Sequence, residues 1–154
     1  MADILKRENF VLIDIEGIQI SKNHICTRLI YMLSKDGLIS KEIEFLPCEP
    51  LDKLDYKYQR AYEFCKWNIH GLEFDPSAPS LQCADAAREV QKFSEICNST
   101  LIVYKGGIIE KRLCESINMR SLDIETLGAP RVNSHDPCTE VNTHYKWIQN
   151  NILS

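Results

Sequence analysis

The sequence predicts a single α/β domain in which a mixed sheet is flanked by helices. Residues 10–46 contain three apolar segments, and Asp36-Gly37, a dipeptide typical of tight hairpin turns, separates the second from the third. Beyond residue 50, segments with helical spacing alternate with short apolar segments, a pattern typical of strands connected through helices. The chain has 154 residues, which is the length of one domain. We therefore predict one domain over 1–154, with a three-stranded antiparallel meander, two parallel strands and flanking helices.

The meander comes first. Residues 10–15 form an apolar run typical of a buried strand, and residues 25–33 form a second run. Residues 38–46 alternate between apolar and polar side chains, as a strand with one buried face does. Its predicted buried positions are Ile39, Ile43 and Phe45.

Two helices follow in the prediction. The first has apolar positions at spacings of four, three and four, namely Leu54, Tyr58, Ala61 and Cys65. Ser80 is the predicted N-cap of the second helix, which extends from about residue 82 to 97. Its predicted apolar stripe is Ala86, Val90, Phe93 and Cys97. Residues 72–80 contain two prolines and are predicted to be a loop.

The second half alternates strands and helices. Residues 101–104 are uniformly apolar, as buried parallel strands are, and Gly106-Gly107 interrupts the run. A helix is expected after the glycines, then a fifth strand over 119–124 and a loop over 128–137. The last predicted helix has its apolar stripe at Cys138, Val141, Tyr145, Ile148 and Ile152.

Composition excludes several classes of protein. The 22 acidic residues outnumber the 18 basic ones, giving a net charge of −4, and no basic run exceeds two residues. A nucleic-acid binder that relies on a basic patch is therefore not indicated. A metal-dependent nuclease remains compatible with this charge, because its cations offset the acidic residues. No apolar stretch approaches the roughly 18 residues that a membrane span needs, so we expect no membrane association.

Seven cysteines occur without a Cys-x-x-Cys pair, and the first ten residues lack the apolar core of a secretion signal. We therefore expect an intracellular protein, cytoplasmic or nuclear, with reduced thiols. Most of these cysteines are expected to be small buried apolar side chains.

The first candidate site is Asp14-Ile15-Glu16 at the end of the first strand. Alternation places both carboxylates on one side of the strand, where their oxygens suit Mg²⁺ or Mn²⁺. The motif is short and common, so an exposed strand end with two solvated acids is the alternative interpretation.

Four segments in one order resemble a known family. These are Asp14-Ile15-Glu16, Ile69-His70-Gly71-Leu72, the run Leu101–Glu110, and His135-Asp136-Pro137-Cys138-Thr139-Glu140. Their order and spacing are similar to those of the DnaQ-type, or DEDDh, 3′–5′ exonucleases, over roughly residues 9–150. The resemblance implies an RNase H-like fold.

The same resemblance implies a set of catalytic residues. Asp14, Glu16, Glu110 and Glu140 would be the ligands of two Mg²⁺ or Mn²⁺ ions, and His135 would be the general base that activates a water molecule. Glu110 and Glu140 stand where the family has aspartate, so each side chain is one methylene longer.

The last motif admits a second alignment. Cys138-Thr139-Glu140-Val141-Asn142 is similar to a segment of the Maelstrom domain and, more distantly, of the exonuclease domain of arenavirus nucleoproteins. In this register Asn142 replaces the last catalytic acid, and the chain would be an inactive relative. The likeness also implies a zinc site in which Glu125, His135 and Cys138 match three of the four ligands.

Cys138, His135 and His144 also have simpler interpretations that involve no metal. Cys138 lies on the apolar stripe of the last helix and is also explained as a core cysteine. His135 is also explained as a loop residue that caps this helix. His144 follows Glu140 by four residues, so a surface pair along one helix face is expected.

Two functions of different classes remain open. The first is a metal-dependent 3′–5′ exonuclease that degrades single-stranded RNA or DNA. The second is a non-catalytic module of the same fold that binds RNA or a protein partner. The intact Asp14-x-Glu16 favours the first function, whereas the longer acids and the ambiguous last motif favour the second.

Overall fold

The structure is a computed structural model. It describes residues 2–21, 24–46, 53–65, 81–82, 85–132, 134 and 136–154. The strands are β1 (Phe10–Ser21), β2 (His24–Ser34), β3 (Ser40–Leu46), β4 (Leu81–Gln82), β5 (Leu101–Tyr104) and β6 (Arg120–Asp123). The helices are α1 (Ala2–Arg7), α2 (Tyr56–Cys65), α3 (Ala86–Ile96), α4 (Ile108–Ser116) and α5 (Pro137–Ile148). A 3₁₀ turn over Ile124–Leu127 precedes α5, and a π turn over Gln149–Leu153 follows it.

The strands form one open mixed sheet in the order β4-β3-β2-β1-β5-β6. β1, β2 and β3 pair as an antiparallel meander, and β5 and β6 add parallel strands on the other side of β1. The predicted α/β architecture, with a meander plus two parallel strands and flanking helices, is therefore confirmed. β4 adds two residues beside β3, where Phe45 pairs with Leu81.

The turn between β2 and β3 confirms the predicted hairpin, because Gly37 has a φ of +76° and its N–H donates to the Ser34 carbonyl. The strand after it begins later than predicted. Leu38 and Ile39 lie in the turn, and Ile39 is 41% exposed, whereas Ile43 and Phe45 are buried as expected. The register of the hairpin pairs Ser40 with Leu33, which leaves Ile39 beyond the last paired residue.

The two faces of the sheet bury different cores. Odd-numbered residues of β1, such as Val11 and Ile13, pack with α3 and α4 side chains, among them Phe93 and Leu113. Even-numbered residues pack on the opposite face. This second core contains Leu5, Phe10, Leu12, Leu33, Val103, Val141 and Ile148. Asp14 and Glu16 continue the even-numbered series, so they lie on the face that α5 covers.

Two helix predictions are wrong in detail. α3 begins at Ala86, not near residue 82, because Leu81–Gln82 pair with β3 instead. Ser80, its predicted N-cap, lies outside the described residues, and Asp85 occupies the N-cap position. In α2 Ala61 is exposed, although Leu54 and Tyr58 are buried as predicted.

The short helix α1 was not predicted. Its Leu5 is fully buried in the second core, and the Lys35 ammonium donates to the carbonyl of Lys6 at 3.2 Å and to that of Glu8 at 2.8 Å. Six residues give too few helical repeats for a sequence pattern to be recognised. In the part of the chain that the structure describes, no helix has the length and apolar character required to cross a membrane.

Candidate metal centre

Asp14 and Glu16 lie in the middle of β1 and not at the end of a strand as predicted, because β1 extends to Ser21. The sheet opens beside them, at the carboxyl end of the parallel strands. The parallel pairing with β5 ends at Leu12 and Val103, whereas β1 continues to Ser21 beside β2. The register with β2 shifts directly after Glu16, so regular pairing is interrupted there as well. Such interruptions are common beside active sites, because they redirect side chains out of the sheet. Asp14 and Glu16 therefore project at the rim of the sheet.

The first turn of α5 brings a third acid to this rim. Asp136 is the N-cap, and its carboxylate accepts from the Thr139 N–H at 3.2 Å and from the Thr139 hydroxyl at 2.7 Å. Pro137 occupies the first helical turn, a position that suits its fixed φ. The helix therefore begins at a defined residue, and Glu140 is held one turn further on through its N–H bond to the Asp136 carbonyl.

Asp14, Glu16 and Glu140 converge there. Each contributes a carboxylate oxygen, and these oxygens all lie within 4.8 Å of one another. Asp14 is only 8% exposed, and its Oδ2 has no hydrogen-bond partner among the residues that the structure describes. The alternative of an exposed strand end with solvated acids is therefore wrong for Asp14.

Without a bound cation, the ionised forms of these carboxyl groups are disfavoured. Burial raises the pKa of Asp14 well above its usual range, and a hydrogen bond to Glu140 and the charges of Glu140, Glu110 and Glu16 raise it further. The pKa of Glu16 rises to about 8, mainly through burial and then through the charges of Glu140, Glu110 and Asp136. Ionised carboxylates at this spacing repel one another unless a cation offsets their charge.

Glu110 reaches the same rim from α4, but in a different way. Its Oε1 accepts a hydrogen bond from the Ile15 N–H at 3.0 Å, and the residue is 4% exposed. Burial raises the pKa of Glu110 to about 7, although hydrogen bonds from its own N–H and from that of Ile15 act in the opposite direction. Glu110 thus contacts the backbone between Asp14 and Glu16.

The donor set fits a hard divalent cation. Three carboxylates supply oxygen ligands, which Mg²⁺ and Mn²⁺ prefer over nitrogen or sulfur. The unpartnered, buried oxygen of Asp14 is a second indication, because buried polar atoms normally have a partner. A cation at this rim would offset the mutual repulsion that raises the pKa values of Asp14 and Glu16.

Glu140 and Asn142, which the two alignments of the last motif put in the place of the last acid, lie in different surroundings. Glu140 points to the cluster, whereas Asn142, two residues further and about 200° around the helix, donates its amide to the Cys138 carbonyl at 2.8 Å. Cys138 itself is half-buried, and its Sγ lies 3.5 Å from the same amide. The acid of this helix that joins the cluster is therefore Glu140.

The zinc residues are not brought together by any described contact. His135 and the segment Ile69–Leu72 lie outside the described residues. Glu125 is exposed, and its Oε2 lies 2.9 Å from the position that a Cβ would take at Gly106. Within the described ranges, the cluster of Asp14, Glu16 and Glu140 is the one group of three or more potential ligands, so the zinc site stays a prediction.

The prediction that His144 lies on the surface is wrong. His144 is 4% exposed, and neither ring nitrogen has a hydrogen-bond partner among the described residues. Burial lowers its pKa to about 4, and the charge of Lys105 lowers it further, so the ring is neutral near pH 7. The helix presents positions 141, 144 and 148 to the sheet, and the polar character of histidine concealed this spacing in the sequence.

The sequence analysis assigned no role to Asp136, and it assigned to Gly107 only the interruption of the apolar run. Asp136 begins α5 and so positions Glu140, and an Asp-Pro pair before an apolar helical stripe is a recognisable start of a helix. Gly107 lies against the Glu110 carboxylate, a contact between side chain and backbone that no local pattern predicts.

No model of a known protein family matches the chain, and no curated protein matches it either.

Proposed function

We propose that this chain is a metal-dependent nuclease domain of the RNase H-like, DnaQ type, which removes nucleotides from the 3′ end of single-stranded RNA or DNA. The observation that carries the proposal is the convergence of Asp14, Glu16 and Glu140 around a buried, unpartnered carboxylate oxygen. The order of the five main strands, with the first acid on the central β1, supports the same assignment.

The proposed reaction requires the three acids to hold a divalent cation close to a phosphodiester. Asp14, Glu16 and Glu140 would hold Mg²⁺ or Mn²⁺, which would supply Lewis acidity and a water of lowered pKa. A water oxygen attacks phosphorus, the bond from phosphorus to the 3′ oxygen breaks, and that oxygen takes up a proton. The products are a nucleoside 5′-phosphate and a strand shortened by one residue. His135 is the predicted general base for the attacking water.

The test is degradation of a 5′-labelled single strand of RNA, and separately of DNA, in Mn²⁺ and in chelator. We expect a ladder of shortened products that requires the cation and a free 3′ hydroxyl, and that disappears in Asp14→Asn. Glu42→Gln is the matched control, because Glu42 is an exposed acid on β3. Cleavage that persists in Asp14→Asn would assign the activity to another site or to a contaminant.

A non-catalytic module that binds RNA or a protein partner is the second candidate function. The observation that favours it is the engagement of the Glu110 carboxylate by the Ile15 N–H, which leaves one of the four implied acids tied to the backbone. Retention of labelled RNA in a filter-binding assay, with no Mn²⁺-dependent cleavage by the same preparation, would support this alternative over the nuclease.

We also propose a structural zinc ion held by Glu125, His135 and Cys138 and a fourth ligand. Cys138 is half-buried and free, so its thiol is available to a metal. Elemental analysis of protein purified without a metal-affinity tag decides it, because one zinc per chain that Cys138→Ser loses would show that the site is intact. Absence of zinc from the wild-type protein would leave Cys138 as a helix residue that contacts Asn142.

A further inference from the structure

The sheet lacks a partner strand beside the part of β1 that carries the acids. β5 pairs with β1 only as far as Leu12 and Val103, and the chain then turns through Gly106 and Gly107, both at positive φ. Ile15 lies three residues beyond the last pair, and its N–H points to the side from which β5 has departed. A buried backbone N–H without an acceptor destabilises the fold, so an acceptor is needed at this point.

Glu110 supplies that acceptor. It lies in the first turn of α4, is 4% exposed, and accepts from the Ile15 N–H through Oε1 at 3.0 Å. Ile15 stands between Asp14 and Glu16, so this bond fixes the backbone from which both of those side chains project. The carboxylate of Glu110 therefore replaces a strand partner at the rim of the sheet.

Gly107 makes room for this contact. Its φ is +93°, and a Cβ at this position would lie 2.7 Å from Glu110 Oε2. Any side chain at 107 would therefore require the Glu110 carboxylate to shift from its position beside β1. Gly128 also has a positive φ, +90°, but its ψ of 14° places it in the left-handed helical region, and no heavy atom lies within 4 Å of its Cβ position, so it lacks the contact.

Glu110 is not a member of the group that the other three acids form. Asp14, Glu16 and Glu140 offer oxygens that all lie within 4.8 Å of one another, and Glu110 belongs to no such group of three in the described part of the chain. We propose that Glu110 is a positioning residue that fixes β1 through the Ile15 N–H, and that the remaining three acids hold a single divalent cation. The inference rests on the proposed function only in requiring that this cluster binds a cation.

The experiment is a calorimetric titration of the whole chain with Mn²⁺ alone, which reports stoichiometry and affinity without any nucleic acid. The wild-type protein is expected to bind one Mn²⁺ per chain. Glu110→Gln keeps a carbonyl oxygen for the Ile15 N–H, so we expect one Mn²⁺ with an affinity within about threefold of wild type. Glu140→Gln removes a ligand and is expected to weaken binding by more than about tenfold.

A second pair of variants moves Glu110 without removing any carboxylate. Gly107→Ala is expected to weaken Mn²⁺ binding by about tenfold, which is typical of losing a residue that orients a ligand. Gly128→Ala also places a side chain at positive φ, in the less strained left-handed helical region and away from Glu110, and is expected to bind Mn²⁺ as the wild type does. Circular dichroism of each variant confirms that the comparison is made between folded proteins.

The outcomes separate this inference from the proposed activity. Two Mn²⁺ per wild-type chain, of which a folded Glu110→Gln loses one, would overturn the positioning role and leave the nuclease proposal intact. Equal affinities for Gly107→Ala and Gly128→Ala would also overturn it. One Mn²⁺ bound by both wild type and Glu110→Gln, with no strand cleaved, would support the positioning role while the nuclease proposal fails. A wild-type chain that binds no Mn²⁺ overturns both.

Discussion

Acidic side chains behave in opposite ways at the two ends of the sheet. At the amino end of the parallel strands, Glu8 lies 2.6 Å from the Arg120 guanidinium, and this hydrogen bond lowers the pKa of Glu8. At the carboxyl end of the parallel strands, in the middle of β1, burial and neighbouring acids raise the pKa of Asp14 and that of Glu16. The same chemical group is thus stabilised as an anion at one end and destabilised at the other.

Hydrogen bonding shows the same contrast. At the amino end, the Asn9 amide donates to the carbonyls of Cys97 and Asn98, and the Ser99 hydroxyl contacts the carbonyls of Asn9 and Leu101. At the carboxyl end, a buried oxygen of Asp14 has no partner among the described residues. Folded proteins retain unsatisfied, repelling groups mainly where function requires them, so this contrast supports placing the proposed site at the carboxyl end.

The largest effect is expected from Asp14→Asn, which removes one charge from the carboxyl end. Loss of one metal ligand is expected to cost about 4 kcal/mol of transition-state stabilisation, or about 10³-fold in cleavage. In chelator at pH 8 the same variant should be more stable, by roughly 5 °C in Tm, because the wild-type carboxyl must take up a proton or bury its charge on folding and the amide does neither. Activity assays and thermal denaturation measure both effects. A lower Tm in chelator would contradict the contrast between the two ends.

The next effect is a dependence of stability on pH. Glu16 and Glu110 have native pKa values of about 8 and about 7, above their ordinary value of 4.5. The native state therefore binds more protons than the unfolded state between about pH 4.5 and 8, and stability falls as the pH rises through this window. Thermal denaturation in chelator should show Tm decreasing from pH 5 to pH 8.

Added Mn²⁺ sharpens this prediction. At pH 8 a concentration of about 100 times Kd is expected to raise Tm by roughly 5 °C, whereas at pH 5 protons compete for the same oxygens and the rise is smaller. The Asp14→Asn variant provides the control, since it should respond less to Mn²⁺ at either pH. A Tm in chelator that is constant or rises up to pH 8 would be inconsistent with buried, repelling acids.

Most of the fold could be predicted because the main strands are each recognisable from their own local sequence. The apolar run of β5, the Asp36-Gly37 turn and the alternation of β3 depend only on near neighbours. The two-residue β4 and the six-residue α1 were not predicted because each is too short for its period to recur often enough to be recognised. Tertiary pairing with Phe45 and burial of Leu5 define these elements instead.

The candidate site was predictable in its acids but not in their arrangement. Alternation placed Asp14 and Glu16 on one side of a strand, and the family resemblance added Glu110 and Glu140. No sequence pattern shows that Glu110 contacts the Ile15 N–H, because that contact joins residues 95 positions apart. The inward orientation of His144 was also concealed, since its neighbour Glu140 suggested a surface pair.

A moderate effect is expected from His144→Leu. Replacing a buried, unpartnered imidazole by an apolar side chain is expected to stabilise the fold by about 1 kcal/mol near pH 7. The native pKa of His144 is about 4, against 6.5 for an ordinary histidine, so the unfolded state gains a proton as the pH falls between these values. The advantage of His144→Leu should therefore grow from pH 7 to pH 5.

The measurement is the difference in Tm between His144→Leu and the wild type at each pH, which cancels the opposite trend of the carboxylates. Lys146→Gln, an exposed change on the same helix, is the matched control and should give no such trend. A His144→Leu variant that is less stable at every pH would indicate that the imidazole has a partner beyond the described residues.

The smallest effect is expected at the amino end, from Glu8→Gln and Arg120→Gln. The pair is close at 2.6 Å, but its side chains are 37% and 56% exposed, and exposed ion pairs contribute little because solvent and salt screen them. We expect Tm and Mn²⁺-dependent cleavage indistinguishable from wild type at physiological salt. Both properties are measured beside Asp14→Asn in the same preparations. If Glu8→Gln changed Tm or cleavage as much as Asp14→Asn does, acids with and without a hydrogen-bond partner would contribute equally to these properties. The physical reason for placing the site at the carboxyl end would then be lost.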